Sequence, residues 1–160
     1  MRFVTDTHCL VWYLQDNPKL STAGKKLFDE PGPATRIIIP AIVLAELLYI
    51  SRKVSLPRSF DATLKLLEED DRFEIYPLSA DVIREAASRG TALADAREGI
   101  QAASRGTALA DAREGSQAAS LIPLEMHDLL IVATARHLNF PLMTSDRQIV
   151  GLRLVPTINP

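Results

Sequence analysis

Residues 37–51 read IIIPAIVLAELLYIS, a stretch in which Glu46 is the one charged residue. Its β-branched start is typical of a short buried strand, and Pro40 suits the opening of a helix. A strand followed at once by an apolar helix indicates a sheet that is covered by helices. Desolvating Glu46 among apolar neighbours would cost several kcal/mol unless donors or a cation meet it. We therefore expect a positive partner beside Glu46.

The composition is that of a globular protein with one domain, because 160 residues with 47% hydrophobic and 24% charged residues can bury a substantial core. The net charge of −2 gives no basic footprint for nucleic acid, so an anionic substrate would need a local basic patch or a bound metal. Cys9 is the only cysteine, which excludes an internal disulfide. With no signal peptide and no membrane-spanning run, we expect a cytoplasmic protein.

Short apolar runs alternate with helical periodicity along most of the chain. Strands are predicted at 3–5, 37–39, 73–77, 141–144 and 152–155. Helices are predicted through residues 10–14, at 21–29, after Pro40 to include Glu46, near 59–70, from 79 through 86, and at 127–138. Strands that alternate with helices imply right-handed crossovers and a parallel sheet with helices on both faces. The predicted class is therefore α/β, with a central sheet of four to five strands.

One segment departs from this alternation. Residues 86–99, AASRGTALADAREG, recur identically at 102–115, so that a repeat of 16 residues spans about 88–119. A 16-residue period places its leucines roughly 160° out of phase on a continuous helix. The glycines in each copy would also interrupt a helix. We interpret the repeat as a partly helical insertion into a single domain of residues 1–160, without catalytic residues; the alternative is a helical arm that docks on a partner.

Acidic residues stand where the predicted strands and helices meet. Asp6 follows the first strand, Asp146 follows a late strand, and Asp128 opens the helix that leads into that strand. Each aspartate has an ordinary explanation as a helix cap or as an acid in the first turn of a helix. Capping does not explain Glu46, which lies in the middle of its helix.

The topology suggests that these four acids converge. The carboxyl ends of parallel strands form one edge, and ligands bind there at the switch in strand order. Four unpaired carboxylates would raise one another's pKa, and a hard divalent cation removes that conflict. Oxygen ligands without a His or Cys cluster favour Mg²⁺ or Mn²⁺ over zinc. Such ions can activate water and stabilise an in-line phosphoryl displacement.

The chain resembles the PIN-domain proteins, and within them the VapC-type toxins of toxin–antitoxin pairs. The matching stretches are VTDTHCLVWYL, IPAIVLAELLYI and IPLEMHDLLIVATARHLNFPLMTSDRQI, which stand in the family's order. The resemblance implies a three-layer α/β/α fold and a metal-dependent endoribonuclease. It further implies an RNA substrate, a VapB-type antitoxin and a homodimer. The residues implied as catalytic and as ligands of Mg²⁺ or Mn²⁺ are Asp6, Glu46, Asp128 and Asp146, with support from the hydroxyl of Thr144 or Ser145.

Other residues invite a role more weakly. Basic residues that could contact RNA are Arg52, Lys53 and Arg147, followed by Arg58 and Arg136. His8 and His127 suit a supporting or surface role better than ligation. Trp12 and Tyr13 could stack on bases, although packing in the core or in a dimer interface is the simpler interpretation. Leu48 and Tyr49 fit either the core or a groove for an antitoxin.

Two rival functions are open at this point. The first is a PIN-like fold that has lost activity and binds another protein; loss of one acid would be its signature, and all four are present. The second is a phosphatase with an aspartyl nucleophile. His8 stands two residues beyond Asp6 where a second acid would be expected, and no lysine lies near Asp146, which disfavours that chemistry.

Overall fold

The computed structural model describes residues 1–29, 35–54, 56–88 and 124–160. Five strands form one parallel sheet: β1 (Arg2–Thr5), β2 (Arg36–Pro40), β3 (Phe73–Tyr76), β4 (Leu142–Met143) and β5 (Thr157–Ile158). The described helices are α1 (Thr7–Leu14), α2 (Thr22–Asp29), α3 (Ala41–Ser51), α4 (Phe60–Glu69), α5 (80–88), α6 (Met126–Leu138) and α7 (Arg147–Leu152). The predicted α/β class is confirmed. The repeat lies outside the described residues beyond Ser88, so its interpretation stays a prediction.

The strand order is β3-β2-β1-β4-β5. From β1 the chain builds outward through β2 to β3, and then returns to place β4 and β5 on the other side of β1. The direction of winding therefore changes between β1 and β4. In an open parallel sheet this switch point opens a crevice outside the carboxyl ends of the two strands.

Both faces of the sheet are covered. In β1 the residues Phe3, Val4 and Thr5 are all buried, and in β2 the run from Ile37 to Pro40 is buried as well. Because successive residues of a strand point to opposite faces, consecutive buried residues require helices on each side. The β-branched Ile37-Ile38-Ile39 thus forms the buried strand that its composition predicts.

Serine and aspartate side chains cap the N-termini of several helices by accepting backbone hydrogen bonds. Ser59 Oγ accepts the N–H of Ala62 before α4, and Ser79 Oγ accepts the N–H of Val82 before α5. Pro40 precedes α3 without a side-chain cap, as expected for a residue that fixes the backbone but offers no side-chain oxygen. No helix within the four described ranges is long and apolar enough to cross a bilayer.

The prediction for the last strand was wrong. Residues 152–155 form the end of α7 and a loop, and β5 lies further along at Thr157–Ile158. Arg153 adopts a left-handed conformation with φ 51°, which ends the helix. Val155 is buried from the loop, so its apolar character reflects packing against the core and not strand pairing. The strand itself pairs Thr157 with Leu142 and Ile158 with Met143.

Candidate metal centre and active site

Asp6 and Asp146 lie on either side of the switch point. Asp6 follows β1 and is 5% exposed, and its backbone N–H donates to Met143 O of β4 at 3.1 Å. Its Oδ1 accepts the N–H of Cys9 at 2.7 Å and so caps α1. The expected capping role of Asp6 is therefore confirmed, and the same geometry fixes the carboxylate at the carboxyl edge of the sheet.

Asp146 is held in the same manner after β4. Its Oδ1 accepts the N–H groups of Gln148 at 2.6 Å and Ile149 at 3.2 Å, and so caps α7. Its own N–H donates to the hydroxyl of the buried Thr144 at 3.0 Å. Within the described ranges, no hydrogen bond reaches its second oxygen, Oδ2. Capping thus uses one oxygen of Asp146 and leaves the other available to a ligand.

Glu46 reaches the same edge from the second turn of α3. The hydroxyl of Thr7 donates a short hydrogen bond to Glu46 Oε2, and His127 Nδ1 lies 3.2 Å from Oε1. The side chain is 25% exposed, so its desolvation is only partial. The expected partner beside Glu46 is therefore a hydroxyl and an imidazole, and the imidazole carries charge only when protonated.

Asp128, in the first turn of α6, is the least satisfied of the four acids. It is half-buried, and among the described residues nothing donates a hydrogen bond to its carboxylate and no cation pairs with it. Burial, together with the negative charges of Asp146, Glu46, Glu125 and Asp6 in that order, raises the pKa of Asp128 to about 6. The other three predicted acids thus all act on Asp128 through space.

Glu125 and Thr7 are the site residues that sequence reasoning missed. Glu125 precedes α6 and makes no capping hydrogen bond of its own, so that its charge adds to the field on Asp128. Thr7 is buried directly behind Asp6, and its contact with Glu46 spans 39 residues of sequence. A threonine next to an acid at the start of a helix was the one signal that could have identified Thr7.

The donor set fits a hard divalent cation. It consists of carboxylates without cysteine, and Asp128 lacks any compensating donor within the described part of the chain. As the side chains stand, no three His, Cys, Asp or Glu residues in the described ranges are close enough to share an ion. Binding would therefore require carboxylates to move towards the ion; Asp128 can do so without breaking a hydrogen bond to a described residue, and Asp146 can offer Oδ2 while Oδ1 keeps the cap of α7.

Comparison with known proteins decides the family. A sequence model of the PIN domain matches residues 3–153, nearly the whole chain. The chain belongs to the PIN domain family. No curated protein matches the chain.

Several solved structures share the fold of this PIN domain. They include VapBC2 from Rickettsia felis bound to a DNA fragment from its promoter, with a TM-score of 0.62 and 21% identity over 99% of this chain and 98% of that chain. VapBC-1 from nontypeable Haemophilus influenzae has a TM-score of 0.63 and 14% identity over 99% of this chain and 98% of that chain. A toxin–antitoxin complex from Klebsiella pneumoniae has a TM-score of 0.58 and 19% identity over 99% of this chain and 97% of that chain. At these identities the likeness shows a common fold.

The basic residues of the PIN domain differ in whether their side chains already have partners within the protein. Arg136 was expected as a weak RNA contact, but it is half-buried, pairs with Glu85 at 2.7 Å and donates a short hydrogen bond to Leu154 O. Arg136 is therefore a structural residue. Lys53 lies 4.2 Å above the ring of Tyr49. Arg52 is exposed but stands six residues beyond Glu46, about 9 Å along the helix axis.

Two surface features border the acids. A cavity of about 510 Å³ is lined by Glu46, His127 and three residues of α3, namely Ala45, Tyr49 and Ile50. Leu48 and Tyr49, whose place the sequence left open, are exposed on α3. Tyr13 instead stacks on Phe28 with ring centroids 4.4 Å apart, and Trp12 packs against the core. The two aromatic residues of α1 are therefore packing residues, as the simpler interpretation expected.

Proposed function

We propose that this PIN domain is a metal-dependent endoribonuclease that acts as the toxin of a VapBC-type toxin–antitoxin pair. The observation that carries the proposal is the state of Asp128, a half-buried carboxylate with no donor among the described residues and with four other acids acting on it. Packing alone does not explain a half-buried carboxylate that is surrounded by acids, because this environment disfavours the ionised form of Asp128. A bound divalent ion would compensate for it.

The residues of the chain have distinct roles in this proposal. Asp6, Glu46, Asp128 and Asp146 would hold Mg²⁺ or Mn²⁺, one or two ions, at the switch point of the sheet. When bound, such ions supply an activated water and stabilise the charge that develops on the phosphate. Thr144 fixes the backbone of Asp146, while Thr7 and His127 fix the orientation of Glu46. Hydrolysis would leave a 5′-phosphate and a 3′-hydroxyl.

No protein nucleophile is required. Cys9 is fully buried one turn from Asp6, and burial together with the charge of Asp6 raises the pKa of its thiol far above the usual range. A thiol that stays protonated is a poor nucleophile. Cys9 therefore belongs to the core, and water is the nucleophile that we propose for the displacement at phosphorus.

The partner and the compartment are part of the same proposal. The similar structures from Rickettsia felis and Haemophilus influenzae are described as VapBC proteins, which supports a VapB-type antitoxin as the partner. A homodimer and a cytoplasmic location are further parts of this proposal. Light scattering of the purified chain, alone and mixed with a candidate VapB-type antitoxin, measures both assemblies.

The direct test is cleavage of a panel of structured and single-stranded RNAs in Mg²⁺, in Mn²⁺ and in EDTA, together with calorimetric titration of Mn²⁺ into the protein. We expect cleavage that depends on the metal, products with 5′-phosphates, and saturable Mn²⁺ binding. Activity that survives EDTA would contradict the mechanism. A folded protein that neither binds Mn²⁺ nor cleaves any RNA would instead be a PIN-like protein-binding module.

A further inference from the structure

A second cavity adjoins the acids on the side away from Glu46. It measures about 630 Å³, within the range of pockets that hold small ligands, and is lined mainly by polar residues: Thr144, Ser145, Arg147, Thr157 and Asn159. The sheet brings these residues together, because Thr144 N donates to Ile158 O at 3.2 Å and so places the end of β5 beside the end of β4. The cavity therefore begins where Asp146 stands and extends along the outer edge of the sheet.

Arg147 is an unusual neighbour for a group of acids. It follows Asp146 directly, yet its side chain pairs with no carboxylate and makes no hydrogen bond within the described ranges. Arg147 lines the cavity and is exposed. An arginine that is held beside acids without pairing to them keeps its planar fork of donors available. Phosphate is the ligand that this fork fits best.

The other polar side chains offer both donors and acceptors. The hydroxyls of Ser145 and Thr157 and the amide of Asn159 are exposed in the cavity and have no hydrogen-bond partner among the described residues. An amide that donates and accepts at once can read the edge of a base, and a hydroxyl can bond to a base or to a ribose 2′-OH. The lining of the cavity is thus complementary to a nucleotide. It offers one cation that can bind a phosphate and neutral polar groups that can bind the base and the sugar.

We propose that this cavity is a subsite for one nucleotide of single-stranded RNA that flanks the scissile phosphate. Arg147 binds the phosphate next to the one that is cleaved, and Asn159 with Thr157 reads the base. The subsite rests on the proposed ribonuclease function, since it takes its place from the acids beside Asp146. It sets which base is accepted at one position next to the cut.

Gly151 provides a means of closing the cavity. It lines the cavity from α7, its backbone has no positive φ, and a Cβ built on it would meet nothing within 4 Å. A large side chain at this position therefore displaces nothing in the core, and one rotamer or another is expected to reach into the cavity that Gly151 lines. Gly151→Phe fills the space and Gly151→Ala adds a single methyl group. Ile83→Phe, on the exposed surface of α5, is a control for added aromatic surface elsewhere.

The main experiment is cleavage of a randomised single-stranded RNA, with the cut positions read by sequencing, and Mn²⁺ titration of each variant. We expect Gly151→Phe to raise KM about tenfold and to lose the base preference at one flanking position, with Mn²⁺ affinity unchanged. Ile83→Phe should keep both properties, and Gly151→Ala should change them less than Gly151→Phe does. Arg147→Gln should raise KM without altering base preference, and Asn159→Ala should alter base preference; these two exposed substitutions keep the test valid if Gly151→Phe fails to fold. Unchanged KM and unchanged preference in the folded variants would overturn the subsite and leave the nuclease assignment intact.

Binding of nucleotides without cleavage separates the subsite from the proposed function. The four nucleoside 5′-monophosphates are titrated in EDTA into ¹⁵N-labelled protein. We expect saturable amide shifts at Ser145, Arg147 and Gly151 for at least one nucleotide, and their loss in Gly151→Phe. Such shifts in a protein that cleaves no RNA would support the nucleotide site while the nuclease assignment fails. The absence of shifts at these residues with all four nucleotides would overturn the subsite.

Discussion

The two ends of the parallel sheet carry opposite charges, and these charges differ in whether they have partners within the protein. At the amino ends of three adjacent strands stand Arg2, Arg36 and Arg72, whose neighbouring positions are in register across the sheet. At the carboxyl ends, or in the helices that face them, stand the four predicted acids. Among the described residues the arginines have partners within the protein, whereas Asp128 has none.

The amino edge is satisfied internally, most fully at Arg72. Its guanidinium pairs with Asp70, donates to Phe28 O at 3.1 Å, and donates to the hydroxyl of Tyr13 at 3.3 Å. Tyr13 in turn donates to Asp29 at 3.0 Å. Arg36 has only a long, exposed pair with Glu74 at 3.9 Å, and Arg2 lies 5.9 Å from the ring centroid of Phe140.

This difference separates stability from function. Charge-assisted hydrogen bonds in a half-buried network stabilise the fold by roughly 1.5–3 kcal/mol each. Asp128, which has no donor among the described residues, stabilises nothing in the metal-free protein, and at neutral pH its repulsion from the other acids is unfavourable. We therefore expect substitution of Arg72 to lower stability and substitution of Asp128 to remove activity.

The largest expected effect is on activity at Asp128. Asp128→Asn keeps the shape of the side chain but removes its charge, and so should lower RNA cleavage by more than about 10²-fold, beyond the usual effect of losing an outer-sphere contact to a metal ligand. Thermal unfolding of the metal-free variant should occur at no lower temperature than in the wild type, because no hydrogen bond to a described residue is lost. The measurements are kcat and Tm.

Asp61→Asn is the matched control for Asp128→Asn. Asp61 is likewise an aspartate in the first turn of a helix, α4, but it lies away from the acids and is exposed. Its substitution should leave cleavage unchanged. Equal metal-dependent cleavage by Asp128→Asn and Asp61→Asn would remove the distinction between the two edges.

The second effect is on stability at Arg72. Arg72→Met retains an apolar stem but removes the guanidinium that donates to the Asp70 carboxylate and to Phe28 O, so we expect the free energy of unfolding to fall by about 2–3 kcal/mol. Cleavage per folded molecule should stay within about twofold, because no described contact joins Arg72 to the acids. Arg36→Met, which removes only an exposed pair, should cost less than about 1 kcal/mol. Urea unfolding of the three proteins measures this order, and equal losses would argue against a network at Arg72.

Most of the fold could be predicted because its signals are local. The β-branched runs at Ile37–Ile39 and the capping residues Ser59 and Ser79 each predict an element from a few neighbouring residues. The prediction of the last strand was wrong because β5 has only two residues and Thr157 is exposed, so that no apolar run marks this strand. The apolar residues just before it, Leu154 and Val155, pack from a loop and imitate a strand.

The places of two candidate acids in the fold were predictable from the sequence, whereas the contacts around the candidate site were not. The positions of Asp6 and Asp146 follow from the rule that parallel strands share a carboxyl edge. The contact of Thr7 with Glu46 depends on side-chain rotamers 39 residues apart, which no pattern encodes. Arg136 misled because nearness in sequence was taken for nearness in space: eight residues along α6 from Asp128 is a separation of roughly 12 Å.

A smaller effect is expected at Thr7, the hydroxyl that orients Glu46. Thr7→Val keeps the volume and the β-branched shape but removes the donor, so we expect Mn²⁺ affinity to fall by about 10-fold or more, the usual cost of losing an outer-sphere partner of a ligand. Thr7→Ser restores the hydroxyl and should recover most of the affinity, a rescue that loss of packing alone would not give. Calorimetric titration of both variants decides the point; affinity lost equally in Thr7→Ser and Thr7→Val would assign Thr7 to packing.

The pH dependence of stability should have opposite signs at the two edges. The pKa of Asp128 is raised to about 6 from 3.8, so the folded metal-free protein binds more protons than the unfolded chain between these values, and its free energy of unfolding should rise as the pH falls from 7 to about 4. The pKa of Asp70 is lowered by hydrogen bonds from Arg72, so its contribution is complete above pH 3.8 and is lost below it.

Urea unfolding from pH 7 to 3 separates these two contributions. Asp128→Asn should remove the rise between pH 7 and 4, and Asp70→Asn should remove the decline below 3.8. Saturating Mn²⁺ should reverse the slope of the wild type near pH 6, because the ion binds the ionised form of Asp128 and competes with the proton. A slope at pH 6 that is the same with and without Mn²⁺, and the same in Asp128→Asn, would mean that the carboxyl edge does not concentrate negative charge on Asp128.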